Sequence, residues 1–263
     1  MKNLILIPKV QLSFTLILIY LSAVIHSPSM QTVLYLFLAL SSTLISDFIF
    51  IKIRKLPSFL LSSAIVSGLI IGLLTAPSLP PYAPIIAGVL AMFSKNFIRI
   101  EQKHIFNPAG FGLFLEAFIF RHNISWWAVS WQKIFANNFL SIIFFIVLLS
   151  PFLISAFRMR RYFNQLSFFA TNILIILIMN IVAKYMQHQA AESLFDPTFI
   201  FFAAVMLPEP MTTPYHSNRQ LLFGFLVAII SFIIIFPPLV ANLLPDTLIF
   251  SLLTVNALFL RFR

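Results

Sequence analysis

The chain has 263 residues, 60% of them hydrophobic and only 9% charged, with a formal net charge of +10. A soluble domain carries about 25% charged residues, so this composition cannot clothe a water-facing surface, and it describes a polytopic membrane protein. With no cysteine there are no disulfides, no thiolate iron–sulfur ligands and no cysteine-type zinc site, and the basic residues sit between apolar runs rather than in a nucleic-acid-binding patch.

A spanning helix needs about 20 mainly apolar residues. In chain order the apolar segments are Val10–Ile25, Thr32–Ile51, Phe59–Thr75, Pro84–Phe93, Ile105–Phe120, Ala136–Phe157, Leu166–Met186, Pro197–Leu207, Gln220–Phe236 and Thr247–Leu260. Lys2 and Lys9 before the first segment resemble a signal peptide in part, but no small-x-small cleavage site follows near His26, so an uncleaved first helix is expected. With the N-terminus inside, 14 of the 17 basic residues fall on inner connections, and only Arg121, Lys133 and Lys184 on outer ones. That asymmetry favours an even number of spans with both termini cytoplasmic; a prokaryotic-type plasma membrane is the expected location.

Two proline-rich connections echo each other. Ala76–Tyr82 reads APSLPPY and Glu209–Tyr215 reads EPMTTPY, so Pro77, Pro81 and Tyr82 match Pro210, Pro214 and Tyr215 at an offset of 133 residues, about half the chain. A glycine and a new apolar run follow each copy, from Gly88 and from Gly224. The expected fold is therefore all-α: one membrane domain over 1–263, with about ten transmembrane helices in two inverted five-helix repeats, about 1–125 and 135–263. Inverted repeats place the working site near the midplane where the halves meet, beside short or broken helices. The short segments Pro84–Phe93 and Pro197–Leu207 adjoin the two proline copies.

Several residues carry candidate chemistry, each with a plainer reading beside it. Asn107-Pro108 opens an apolar segment, where it caps a helix and could offer that N-terminus to an anion. Glu209, between two prolines, is a cation ligand or proton carrier, or an interfacial acid paired with Arg219 or another base. Thr212 and Thr213 could hydrogen-bond a flavin or its phosphate, or close a tight turn. Asp47 and Glu116 lie inside apolar segments, near Lys52 and Arg121, where pairing or snorkelling accounts for them; with Glu209 they are the ion-pathway candidates. Asp196-Pro197 reads as a helix cap. The histidines His26, His104, His122, His188 and His216 fall at segment ends, which speaks against a haem held between two of them. Trp126, Trp127 and Trp131 suit an interfacial aromatic belt. No nucleotide loop, zinc signature or nucleophile elbow occurs.

The run Lys103–Gly112 (KHIFNPAGFG), preceded by PPYAP, resembles the RnfD/NqrB family, whose members are membrane components of the Rnf complex and of the sodium-pumping NADH:quinone oxidoreductase. The stretch FFAAVMLPEPMTTPYHSNRQLLFG and the basic Arg158–Arg161 connection are similar to the same family, and the resemblance covers about residues 60–260. It implies an integral membrane subunit of an ion-translocating electron-transport complex, at most an electron relay in an oxidoreductase translocase, with other subunits of a redox complex and the bilayer as partners. Members carry FMN joined to a threonine in a Ser-Gly-Ala-Thr-like motif after the fifth helix. No threonine occurs between Arg121 and Asn138, so FMN or riboflavin is expected only noncovalently, with Asn107, Pro108, Thr212, Thr213 and Arg219 as candidate contacts. The departure also leaves room for a small-solute or ion transporter, or for a scaffold subunit without redox chemistry.

Overall fold

The structure is a computed structural model that describes residues 8–56, 62–130, 149–154, 156–185, 196–235 and 243–261. Its helices are α1 (Pro8–His26), α2 (Met30–Ile53), α3 (Ser62–Leu74), α4 (Ala83–Phe97), α5 (Pro108–Phe120), α6 (Trp127–Ser130), α7 (Tyr162–Tyr185), α8 (Pro197–Phe201), α9 (Ser217–Ile235) and α10 (Thr247–Leu258). Residues 149–154 and 156–158 are also helical. Among the described residues, α2, α7 and α9 are long and apolar enough to cross a membrane. The other apolar helices are shorter, and most of the expected sixth segment lies outside the described residues. The chain is an all-α integral membrane protein.

Small residues bring the helices together, as expected where no water drives apolar association. One face of α2 buries Thr32, Tyr35, Ala39, Ser42, Thr43 and Ser46 at three- and four-residue steps. Gly88 of α4 meets it, where the two helices pack closely. A side chain at Gly88 would strike the Ser42 hydroxyl. The hydroxyls of Ser42 and Thr43 bond back to carbonyls of Ala39 and Leu40, so they enter an apolar interface already satisfied. In turn α4 packs on α5, α7 packs on α9, and α9 on α10; α10 touches α5, which ties the two groups of helices together.

One departure from the all-α expectation is local. The expected segment Ile105–Phe120 begins later, at Pro108, because a hairpin of two two-residue strands precedes it. Arg99 opposes His104, and Ile100 opposes Lys103, around Glu101 at φ 53°. The Arg99 guanidinium pins the turn by donating to the carbonyls of Lys95 and Gln102. Three connections follow a single plan. After α2, after α5 and after residue 158, a basic residue adopts the left-handed conformation (Lys55, Arg121 and Arg160, φ 52–54°). The next residue's N–H reaches back five positions, as in Leu56 to Ile51, His122 to Ala117 and Arg161 to Ala156. Glycine usually fills that position, and a cation there instead complements the negative end of the helix dipole.

Candidate functional site

The second proline copy is held by a helix that changes pitch. Pro197 opens α8 behind the Asp196 cap, whose carboxylate accepts from Thr198 N at 2.8 Å. From Phe202 to Met206 the backbone widens into a π-helix. That change frees carbonyls that lipid cannot satisfy, so side chains must take them. Gln165 Nε2 donates to Ala203 O at 3.0 Å, Asn164 Nδ2 to Leu207 O at 3.0 Å, and Asn107 Nδ2 to Met206 O at 3.2 Å.

Asn107 therefore works twice. Its Oδ1 accepts from Gly110 N at 3.0 Å and caps α5, while its Nδ2 holds the π-helix from the other half of the chain. We expect Asn107→Asp to keep the cap and lose the bridge, and Asn107→Ala to lose both. The alanine variant should lose about 1–3 kcal/mol of stability and the aspartate variant less, measured as thermal unfolding in detergent. Equal losses would show that only the bridge matters.

Beyond Met206 the loop turns on Glu209. Its carbonyl accepts from the N–H groups of Thr212 and Thr213 at 3.2 and 3.1 Å. Both threonine hydroxyls also reach Glu209. Arg161 donates to the carbonyls of Pro210 and Pro214 and lies 5.4 Å over the Tyr215 ring. Pinned in this way, the Glu209 carboxylate meets His104 of the hairpin, Oε1 to Nε2 at 2.8 Å.

This contact closes one wall of a cavity of about 350 Å³. Lys9, Lys95, Arg99, His104, Asn107 and Glu209 supply its polar lining, and Val66, Ile70, Phe152 and Val205 part of its apolar lining. The charges are unequal. Lys95 is neutralised by Asp47 at 2.7 Å, and the Glu209 carboxylate is hydrogen-bonded to His104. Arg99 has no carboxylate partner among the described residues. Burial pushes its guanidinium down from the ordinary value, and the Arg54 charge pushes the same way. A cation in that position favours an anion beside it.

Of the residues expected from sequence, Asn107, Pro108 and Glu209 line the cavity. Thr212 and Thr213 are buried in the Glu209 turn and do not line it. Arg219 is exposed on α9, away from it. Asp47 stands behind Lys95, with Asn96 Nδ2 on its other oxygen at 2.9 Å. Glu116 lies toward the far end of α5 against His122 at 3.2 Å, so the three acids do not share one site. Sequence reasoning missed Lys9, Lys95, Arg99 and His104. His104 did lie inside the Lys103–Gly112 motif, but only the fold reveals that it meets Glu209.

Comparison with known families decides where the chain belongs. The profile described as the NQR2, RnfD, RnfE family matches residues 129–260, just over half of the chain. The chain belongs to this family. No curated protein matches it. The matched span contains the Leu207–Arg219 motif and stops short of Lys103–Gly112, which lies earlier in the chain. The His104–Glu209 and Asn107–Met206 contacts join that earlier motif to the NQR2, RnfD, RnfE part.

Proposed function

We propose that this NQR2, RnfD, RnfE family chain is an integral membrane subunit of an ion-translocating electron-transport complex, with the cavity at Glu209 as its working site. The observation that carries this reading is the junction itself, where His104 and Asn107 meet the family-matched loop and enclose a cationic cavity. The repeated packing supports two related halves. In one, α2 packs on α4 and α4 on α5; in the other, α7 packs on α9 and α9 on α10. A Pro-x-x-x-Pro-Tyr copy leads into α4 and into α9. Both termini lie on the cytoplasmic side, where most of the basic residues gather.

The lining fits a phosphate-bearing flavin. Lys9 and Arg99 supply cations for the phosphate, Val66, Ile70, Phe152 and Val205 apolar contact for the rings, and the volume is within the ordinary range of ligand pockets. A flavin bound there supplies one- and two-electron redox chemistry. The chain's residues bind its phosphate, exclude water with the apolar wall, and hold a proton between His104 Nε2 and Glu209 Oε1. Attachment is noncovalent, since the stretch from Arg121 to Asn138 offers no threonine.

An absorption spectrum followed by acid precipitation tests this. Flavin colour released into the supernatant is expected. Colour that stays in the pellet overturns noncovalent attachment. A protein that stays colourless after mixing with FMN overturns the flavin reading, and solute flux into proteoliposomes without an electron donor would then make it a transporter. Glu209→Gln keeps a hydrogen bond to His104 and removes the charge. Donor-driven activity of the assembled complex should fall on the order of a hundredfold, as for a positioned proton-transfer group. Unchanged activity would remove Glu209 from the mechanism.

A further inference from the structure

A second cavity, of about 630 Å³, shares no lining residue with the first and lies where three helix ends converge. Helical residues 156–158 and the turn after them contribute Phe157, Arg158 and Arg160; the start of α7 contributes Tyr162 and Phe163; and the start of α9 contributes Ser217 and Gln220, just after Tyr215 and His216. We propose that it binds the headgroup of an anionic, hydroxyl-bearing phospholipid of the phosphatidylglycerol type.

Arg158 and Arg160 are exposed, and neither makes an ion pair among the described residues. Two guanidinium groups at one opening suit a phosphate, which each can grip through two N–H donors. Arg160 holds its place at a cost. It sits at φ 54°, a conformation that favours glycine, and Gln220 Nε2 fixes its carbonyl at 2.8 Å. Gln220 is 1% exposed, and its Nε2 is spent on the carbonyls of Arg160 and Tyr215. Its Oε1 has no partner among the described residues, which leaves an acceptor for a headgroup hydroxyl.

The surroundings select a lipid over a soluble partner. Both α7 and α9 are of membrane-spanning length and begin at this cavity. Phe157 on its rim is 66% exposed. Along α7 the face of Tyr162 continues through Leu166, Ile173 and Leu177, which are 59%, 45% and 48% exposed. An apolar stripe of that length accommodates acyl chains while the phosphate stays at the arginines. An anionic membrane surface also rewards each nearby basic residue.

The test uses the full chain in mild detergent, mixed with equal amounts of phosphatidylglycerol and phosphatidylcholine, with retained lipid counted by native mass spectrometry. Preferential retention of phosphatidylglycerol is expected. Arg158→Gln and Arg160→Gly should each weaken it about fivefold. Arg160→Gly relieves the left-handed backbone, so without added lipid it should unfold no earlier than the native protein. A merely structural arginine would do the reverse. Equal retention of the two lipids overturns the proposal. So does undiminished preference in both variants, including the case in which they lose an acidic partner protein instead.

Discussion

Replacing Asp47 with alanine should cost about 3–5 kcal/mol of stability, while replacing Asp47 and Lys95 together with leucine and methionine should cost about 1 kcal/mol or less. Asp47 is 1% exposed on α2, and its carboxylate is shared between Lys95 Nζ at 2.7 Å and Asn96 Nδ2 at 2.9 Å. The Lys95 side chain is 16% exposed and also donates to Ser63 Oγ at 2.6 Å. Removing the acid alone leaves the half-buried Lys95 ammonium on the cavity wall without its counter-charge. Removing both ions removes the desolvation penalty of both, and packing recovers what attraction is lost. Thermal unfolding of the single and double variants in detergent measures the difference. If Asp47→Ala unfolds within about 1 kcal/mol of the native protein, Lys95 has found water through the cavity and the pair is not structural.

Gly112→Ala and Gly224→Ala should each destabilise the chain by about 1–3 kcal/mol or more, against a helix propensity that by itself favours alanine. At Gly112 a Cβ would lie 2.2 Å from Ala87 O, with the Ala91 Cβ and N close behind. At Gly224 it would lie 2.1 Å from Asn164 O, with Phe168 N at 3.0 Å. Both obstacles are backbone, so α4 and α5, or α7 and α9, must move apart to admit a methyl group. Gly110 is the control. There a Cβ meets the flexible end of Met206 at 3.3 Å, and Gly110→Ala should change the midpoint little. The Asn164 carbonyl adjoins the side chain that holds Leu207 O, so Gly224→Ala should also disturb the Glu209 loop. Gly112→Ala or Gly224→Ala proteins as stable as Gly110→Ala would mean that the helices do not approach so closely.

Composition alone established the membrane class, because no arrangement of 9% charged residues can cover a soluble surface. Apolar runs located most of the described helices, since in lipid a backbone must satisfy its own hydrogen bonds, and a long apolar run does so only as a helix. The caps at Asn107 and Asp196 were also legible, because a cap is a contact among neighbours in sequence. The hairpin before α5 was not, since its two-residue strands have no period to read.

Tertiary structure decided the partners. Glu209 was recognisable in the sequence as a candidate acid between two prolines, but Arg219 was as eligible a partner as any base. His104 took that place because the hairpin and the π-helix lie together, 105 residues apart in the chain. Nothing local marks Phe202–Met206 as π-helical, and the amides of Gln165, Asn164 and Asn107 that satisfy it come from distant helices. Hydrophobicity and propensity act along the chain and can be read there. The pairing of charges and amides depends on which helices touch, and three-dimensional packing alone settles that.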